Sequence, residues 1–414
     1  MTATIKTFQC KNGKYFGDCI FLILKNEITN NSFHLMVDCG ALSEEIKCFI
    51  RNDLDMRLDI VIATHIDGDH IDGIIAILND PDLRNLTIGK ILFNCYQPAN
   101  TEPAEFEQAE GVRQEPIQEG IQNRLNSLVS SYPMPIQDKI SASTAVSLAS
   151  RIVSDDRLKS IWHDVLITDE SDDYPLGENW GKLIFLSPTT AALRELDVFF
   201  RSKFAAFTGI KFPEDTFENI AETYELLLKI EEKKKRHFKG KWIGSKREIT
   251  EDEMEYASKQ PVNENSLSYP NKASLAFIWE CEGHRILIMG DAMASTVLSS
   301  LERKYPGQPL QFEAIKVSHH GSKYNTTADL MEKIDAPVFY LTGGDSSSED
   351  CPTLDAIAKI LTRNIENDRK RSIRFNFNND IINRLISPES EGVRNKYRFE
   401  LIDDTKEAPY EFQY

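Results

Sequence analysis

The chain has 414 residues, of which 41% are apolar and 27% charged, a composition typical of folded globular proteins. Its net charge of −17 excludes a general nucleic-acid coating protein, because a diffusely acidic surface repels phosphate backbones. The apolar runs are far shorter than the ~20 residues of a membrane-spanning helix, and no signal-peptide pattern begins the chain. Seven scattered cysteines without a Cys-x-x-Cys pair favour free thiols, so we predict a cytoplasmic protein without membrane association.

The first part of the chain alternates between predicted strands and a helix. Short apolar runs predict strands at 20–24, 33–37, 59–63 and 91–94. The helical spacing of apolar residues predicts a helix over 70–78.

The middle of the chain has a different pattern. Residues 101–120 are rich in Glu, with Pro and Gly among them, and predict a solvated loop. Residues 182–187 predict a strand that ends at Pro188. Long helices are predicted at about 191–207 and 215–236.

Strands and helices alternate again from residue 265. The predicted elements are a hairpin of 273–280 and 285–289, strands ending near Ser318 and Thr342, and helices over 326–334 and 353–363. We therefore predict one catalytic domain in two sequence pieces, 1–100 and 265–414. An insertion region, 101–264, lies between them and is largely helical.

One polar motif stands between an apolar strand and an apolar helix. It reads Thr64-His65-Ile66-Asp67-Gly68-Asp69-His70. Since a strand end delivers side chains to the rim of a sheet, two His and two Asp in this place can reach two metal ions. Imidazole suits Zn, and carboxylate suits harder ions such as Mn or Mg. A calcium loop is excluded, because Ile71 and Leu78 stand where it needs acidic ligands.

The segment His65-Ile66-Asp67-Gly68-Asp69-His70 resembles the His-x-His-x-Asp-His motif of the metallo-β-lactamase superfamily. With Asp67 in place of the second His, it is similar to the soluble hydrolase domain of the ComEC/Rec2 DNA-uptake proteins. Further segments resemble family motifs in the family's order: Gly17-Asp18-Cys19, Val37-Asp38-Cys39-Gly40, Asn265-Ser266-Leu267, Met289-Gly290-Asp291 and Lys316-Val317-Ser318-His319-His320-Gly321-Ser322. The resemblance implies a four-layer αβ/βα sandwich, an α/β fold, with the mainly helical insertion added.

The resemblance also implies two divalent ions, Zn or Mn, that share a bridging hydroxide as the nucleophile. The implied ligands are His65 and Asp67 for one ion, Asp69 and His70 for the other, Asp291 as the bridge, and one of His319 and His320. Catalysis is implied to depend on His65, Asp69 and Asp291. Asp38 is implied to orient a ligand histidine, although a strand-end cap before Gly40 is an alternative role.

The sequence departs from the family pattern in two places. Ser187-Pro188 stands where many superfamily members have a further histidine ligand. Cys351 stands where the ComEC-like branch has a histidine before proline, and it is either a thiolate ligand or an ordinary buried thiol.

Two groups of residues are candidates for binding a phosphate. Ser322, Lys323 and Asn325 follow the His-His pair and either hold a phosphate oxygen or belong to a solvated loop. The segment 229–247 has nine Lys or Arg against two Glu, a net charge of +7, with Phe238 and Trp242 interleaved. It can grip phosphates and stack a base, or it is a solvated helix end.

We therefore predict a metal-dependent hydrolase that cleaves a phosphodiester, with nucleic acid or a nucleotide as its substrate. Hydrolysis of a small ester, lactone or thioester is the alternative enzyme class. A degraded site that serves as an interaction subunit is a third reading. Stand-alone members of the branch resemble components of bacterial defence systems against viruses, so a protein partner is also predicted.

Overall fold

The computed structural model describes residues 1–12, 15–94, 148–208, 248–307, 310–345, 351–363 and 369–414. Within these ranges the strands are β1 (Thr2–Thr7), β2 (Cys10–Asn12), β3 (Tyr15–Gly17), β4 (Cys19–Lys25), β5 (Ser32–Cys39), β6 (Arg57–Ala63), β7 (Thr87–Phe93), β8 (Tyr174–Pro175), β9 (Lys182–Ser187), β10 (Ala276–Cys281), β11 (His284–Ile288), β12 (Leu310–Gln311), β13 (Ala314–Lys316), β14 (Ile334–Asp335), β15 (Val338–Leu341), β16 (Gly344–Asp345), β17 (Arg371–Phe375), β18 (Phe399–Asp403) and β19 (Tyr410–Gln413).

The α-helices of the same ranges are α1 (Glu44–Asn52), α2 (Gly68–Asn79), α3 (Leu148–Val153), α4 (Asp156–Ile161), α5 (Thr190–Thr208), α6 (Glu251–Ser258), α7 (Tyr269–Lys272), α8 (Ala294–Lys304), α9 (Ala328–Lys333), α10 (Leu354–Leu361), α11 (Asp380–Ile386) and α12 (Glu391–Lys396). Most begin at a residue whose side chain accepts a backbone N–H. Ser43 does so for α1 and Thr353 for α10. Such caps satisfy amides that have no partner inside the helix.

The first sheet has six strands in the order β19-β1-β4-β5-β6-β7. β1, β4 and β5 are antiparallel, whereas β5, β6 and β7 are parallel. β4 reads Cys-Ile-Phe-Leu-Ile-Leu-Lys, a nearly continuous apolar run, because both of its faces are covered. The parallel pairs bring the carboxyl ends of β5 and β6 to the same edge.

The second sheet has eight strands in the order β18-β17-β15-β13-β11-β10-β9-β8. Five neighbouring strands run parallel to one another: β11, β13, β15, β17 and β18. The sheet continues from β11 through β10, β9 and β8, which pair antiparallel. The carboxyl ends of β11 and β13 therefore also lie side by side.

The two sheets face each other across one apolar core. Leu22 and Ile62 of the first sheet and Phe277 and Trp279 of the second belong to the buried cluster between them. The outer face of the first sheet packs against α1 to α5, and the outer face of the second against α6 and α8 to α12. The layers are thus helix, sheet, sheet and helix, and the expected α/β, four-layer αβ/βα sandwich is confirmed.

The region expected as an insertion contributes to the sandwich itself. Within 101–264, β8 and β9 belong to the second sheet, where β9 pairs with β10. The described helices of this region, α3 to α6, pack on the outer faces of the sheets. The predicted helix over 215–236 and the basic segment 229–247 lie outside the described residues. Among the helices that the structure describes, none combines the length and apolar character needed to span a bilayer.

Candidate metal centre

The predicted motif residues meet at the edge where the two sheets present the carboxyl ends of their strands. The contributing residues are Asp38 at the end of β5, His65, Asp67, Asp69 and His70 between β6 and α2, Asp291 after β11, and His319 and His320 after β13. Parallel neighbours bring their ends together, which is why residues so far apart in sequence converge.

Two glycines allow the start of α2 to approach the strands closely. A Cβ atom on Gly17 would lie 2.1 Å from the carbonyl oxygen of Asp69, and one on Gly40 would lie 2.2 Å from the same oxygen. That oxygen accepts a hydrogen bond of 3.0 Å from the amide of Asp18. Any side chain at either glycine would push α2 away, so these glycines set the position of Asp69 and His70.

His70 is held by a buried carboxylate. Its Nδ1 lies 2.8 Å from Oδ2 of Asp38, and its Nε2 lies 3.4 Å from Oδ1 of Asp291. Since the Asp38 carboxylate can only accept, Nδ1 donates to it, and Nε2 is the ring nitrogen that faces Asp291. The predicted orienting contact of Asp38 is present in this geometry.

His65 has the same arrangement. Thr64 donates its hydroxyl to Asp38 at 2.8 Å and therefore accepts from Nδ1 of His65 at 3.1 Å. Nε2 of His65 lies 3.7 Å from Oδ2 of Asp67 and 3.7 Å from Oδ2 of Asp291. Nε2 of His65 thus also faces the carboxylates.

His320 is fixed by a backbone carbonyl. Its Nδ1 donates to the carbonyl oxygen of Thr342 at 2.7 Å, and its Nε2 lies 3.4 Å from Oδ2 of Asp69. Asp18 lies on the Nδ1 side at 3.1 Å and forms a buried ion pair with Lys316. Because Lys316 already neutralises Asp18, we assign Asp18 to the outer support of His320 rather than to the ligands.

His319 is fixed by Asn325. The Asn325 amide donates to the carbonyl oxygens of Asp291 and Ala292 at 2.9 and 3.1 Å, so its Oδ1 must face Nδ1 of His319, 2.8 Å away. Nε2 of His319 lies 3.6 Å from Oδ2 of Asp291. His319 and His320 have φ values of 49° and 56°, a strained conformation for non-glycine residues that typically marks functional sites.

Asp291 is at the middle of these groups. Its Oδ2 faces His65 and His319, whereas its Oδ1 faces His70. Oδ2 also accepts from the side chain of Asn271 at 3.2 Å. This carboxylate therefore has imidazoles on both of its oxygens.

The electrostatics of the centre follow from this mixture of buried acids and imidazoles. Burial alone would raise the pKa of Asp291, but attraction to the surrounding histidines, with His319 first, holds that pKa well below its usual range. Burial works against the charge of His70, yet Asp291 and Asp38 raise its pKa well above the usual value. In the same way, Asp18 and Asp291 outweigh burial and raise the pKa of His320 to about 10.

The donor atoms fit divalent metal ions. Nε2 of His65, His70 and His320 and Oδ1 of Asp291 are buried and have no hydrogen-bond partner among the described residues. Unsatisfied buried polar atoms cost roughly 1–3 kcal/mol each, so a cluster of them calls for a ligand. Ligand distances of about 2.0–2.2 Å place tetrahedral donors about 3.4 Å apart, close to the 3.4–3.7 Å found around Asp291.

The open side of the centre carries three of the predicted residues. The side chains of Asp67, Asp69 and His319 are 14%, 19% and 28% exposed, whereas those of His65 and His70 are almost fully buried. Asp67, Asp69 and His319 are therefore the members of the cluster that reach the solvent. Both His319 and His320 face carboxylates, so the geometry leaves both in place as ligand candidates.

Of the predicted phosphate-binding residues, Ser322 and Asn325 are turned inward. Both are buried, and Asn325 holds His319 and the Asp291 backbone. Lys323 stays partly accessible and lies over the ring of Tyr324. Lys323 is thus the best placed of the three to meet a substrate.

Cys351 is buried. It lies near the turn that follows the histidine pair, because the amide of Thr353, two residues later, donates to the carbonyl oxygen of Gly321 at 3.0 Å. Over the described ranges, its sulfur is not in a donor group that converges within 4.8 Å. Its role as a ligand stays a prediction. The hydroxyl of Ser187 donates to the carbonyl oxygen of Ser274 at 2.9 Å. Ser187 therefore holds the backbone of Ser274, whose side chain contacts His65.

The segment that begins at Asn265 was matched to the family's Asn-x-x-Ser motif, but the structure places another segment with this spacing, from Asn271 to Ser274, at the centre. Asn265 and Ser266 lie in an exposed turn, whereas Asn271 contacts Asp291 and Ser274 contacts His65. The spacing of Asn271 and Ser274 is the same, and only the fold shows which of the two segments reaches the site. Sequence reasoning likewise assigned no part in the site to Thr64 or to the ion pair of Asp18 and Lys316, although all three stand in or beside the quoted motifs.

Comparisons with known proteins give little more. No family model matches the sequence, and a search of curated proteins finds no match. Among solved structures, a mutant of CmlA beta-hydroxylase is similar, with a TM-score of 0.35 and 9% identity over 100% of this chain and 54% of that one. The chain therefore spans about half the length of that structure.

Proposed function

We propose that this chain is a metal-dependent hydrolase of the metallo-β-lactamase superfamily, from its ComEC/Rec2-like branch, and that it cleaves phosphodiesters. One observation carries the proposal. In four histidines, Nδ1 contacts a side-chain or backbone group of the protein, while Nε2 faces the carboxylate of Asp291 or Asp69. These are His65, His70, His319 and His320. An apolar core or an interaction surface does not require such a uniform orientation, whereas a metal centre does.

When bound, two divalent ions supply a nucleophile at neutral pH by acidifying water, and they stabilise negative charge on the reacting group. His65, His70, His320 and Asp291 would hold them, since these residues carry the buried donor atoms without partners. The remaining ligand candidates, Asp67, Asp69 and His319, lie at the open side.

The other residues of the site position these donors. Asp38 and the carbonyl of Thr342 each accept a hydrogen bond from Nδ1 of one histidine, so Nε2 of that ring is already directed at the centre. Asn325 does the same for His319. Such prearranged groups reduce the cost of reaching the reactive geometry.

Two features favour a phosphodiester over an uncharged ester. Lys323 follows the His319–Ser322 turn and remains partly accessible. The segment 229–247 adds a second concentration of positive charge, +7, to an otherwise acidic chain. We extend the proposal to nucleic acid or a nucleotide as the substrate, and to action with a protein partner in a bacterial defence system against viruses.

A cytoplasmic location is part of the same proposal. Cys10, Cys19, Cys39, Cys48 and Cys281 are free thiols in the structure. Free thiols persist in reducing compartments, whereas secreted proteins usually oxidise them.

The substrate class is tested with the protein reconstituted with Zn or Mn. A bis-aryl phosphodiester and an aryl ester are offered to the parent, to Asp291→Ala and to Asp173→Ala, a matched control at a surface ion pair with Lys182. We expect turnover of the phosphodiester by the parent and the control, and none by Asp291→Ala. Turnover of the ester alone would support the other hydrolase class instead.

A further inference from the structure

A second group of metal-binding side chains lies behind the centre. Cys10 of β2, Cys19 at the start of β4 and Cys39 at the end of β5 bring their sulfur atoms within 4.8 Å of one another. All three are free thiols and at most 1% exposed. Cys19 and Cys39 are direct partners across β4 and β5, next to a register shift, so their side chains lie on the same face of the sheet.

The spacing suits a thiophilic ion. At a metal–sulfur distance of about 2.3 Å, three thiolates lie about 3.8–4.0 Å from one another, inside the observed limit. The carbonyl oxygen of Ala41 lies 3.5 Å from the sulfur of Cys39 and offers an oxygen beside the cluster. Thiolate donors select ions such as Zn²⁺ over Mn or Mg.

We propose that Cys10, Cys19 and Cys39 form a structural site for a thiophilic metal ion of the Zn²⁺ class, separate from the histidine–aspartate centre. The site is directly behind that centre, because Cys19 follows Asp18 and Cys39 follows Asp38 in the chain. Helix α2 also packs closely against the three cysteines, since a Cβ atom on Gly73 would lie 2.4 Å from the sulfur of Cys39. An ion there ties together the three strands that support the ligands.

The test is a Co²⁺ titration of the full chain, with thiolate-to-cobalt charge-transfer absorption as the readout. The histidine and aspartate donors give no such band, so the signal is independent of hydrolase activity. We expect the band in the parent, its loss in Cys10→Ser with Co²⁺ affinity at this site weakened about tenfold or more, and its retention in Cys48→Ser and Cys351→Ser. The Cys351→Ser control excludes a contribution from the predicted ligand Cys351.

A second measurement needs no variant. Cadmium NMR of the parent loaded with Cd²⁺ should show one resonance in the range of sulfur-rich coordination. Absence of both the band and this resonance, a band that survives in Cys10→Ser, or a disulfide among the three cysteines in the purified protein would each overturn the proposal.

Discussion

The carboxylate of Asp38 accepts a hydrogen bond of 2.8 Å from Nδ1 of His70, and Nε2 of the same ring lies 3.4 Å from Asp291. The same carboxylate accepts from the amide and the hydroxyl of Thr64, at 2.7 and 2.8 Å. One buried acid therefore fixes the proton on His70 directly and the orientation of His65 through Thr64.

Replacing Asp38 by Asn should weaken metal binding about 10–100-fold, the usual cost of losing a support behind a ligand. Asn tolerates the φ of 56° found at this residue, so the backbone is conserved, but its amide offers only one accepting oxygen. Competition with a chromophoric chelator measures the affinity, and Asp173→Asn is the matched control. Equal affinities of Asp38→Asn and the parent would show that Asp38 is only a strand-end cap.

Metal binding should depend on pH. The pKa values of His70 and His320 are raised, the latter to about 10, so both rings are protonated near neutral pH when no metal is bound. An ion needs the neutral ring and displaces these protons, so affinity rises with pH and falls as the solution is acidified. Calorimetry in buffers of different ionisation enthalpy should detect proton release. Binding without proton release would contradict the protonation states assigned to this centre.

The metal preference should reflect the extra carboxylate. Asp67 stands where most members of the resembled superfamily have histidine, so the ligand set is richer in oxygen. Harder ions such as Mn should therefore support phosphodiester turnover at least as well as Zn. The comparison is made on metal-stripped protein reconstituted with each ion. Activity with Zn alone, together with inhibition by Mn, would count against this ligand set.

The basic segment should control the capture of nucleic acid. It carries +7 on a chain of −17, so the remaining residues carry −24 and offer a polyanion few other attractive surfaces. Replacing Lys233, Lys234, Lys235 and Arg236 by Ala should strongly weaken binding at low salt. Each lost phosphate contact should reduce the salt dependence by ~1 unit, measured by binding titrations at several salt concentrations.

The same quadruple variant has an internal control. Turnover of a small phosphodiester should barely change, because the metal ligands are untouched. If the variant binds and cleaves nucleic acid like the parent at low salt, the segment is a solvated helix end and nucleic acid loses its main support as the substrate.

The sequence predicted that most of the ligand candidates would lie together, because their positions obey a simple rule. His65, Asp67 and Asp291 lie two to four residues after the end of a strand, and parallel strands present those ends at one edge. The supporting residues obey no such rule. Asn325 was a candidate for phosphate binding or for a solvated loop, whereas in the structure its amide donates to the backbone carbonyl of Asp291, a contact that depends on how two loops pack.

The C-terminal strands lack the apolar sequence pattern by which strands are predicted. β17 reads Arg-Ser-Ile-Arg-Phe, and its arginines are buried against Asp335 and Asp404. Charged residues inside a sheet hide the apolar signal by which strands are recognised, and their partners are far away in the chain. The C-terminal strands therefore had to be seen in the structure.

The metal content of the purified chain tests the central claim most directly. Inductively coupled plasma mass spectrometry is applied to the parent, Asp67→Ala, Asp291→Ala and the Asp173→Ala control, all made with Cys10→Ser so that only the histidine–aspartate centre is counted. We predict two divalent ions per chain in the parent background and in the control, and fewer in both ligand variants, with circular dichroism showing an unchanged fold. A chain that takes up no divalent ion, or an Asp291→Ala variant that keeps both, would contradict the metal centre.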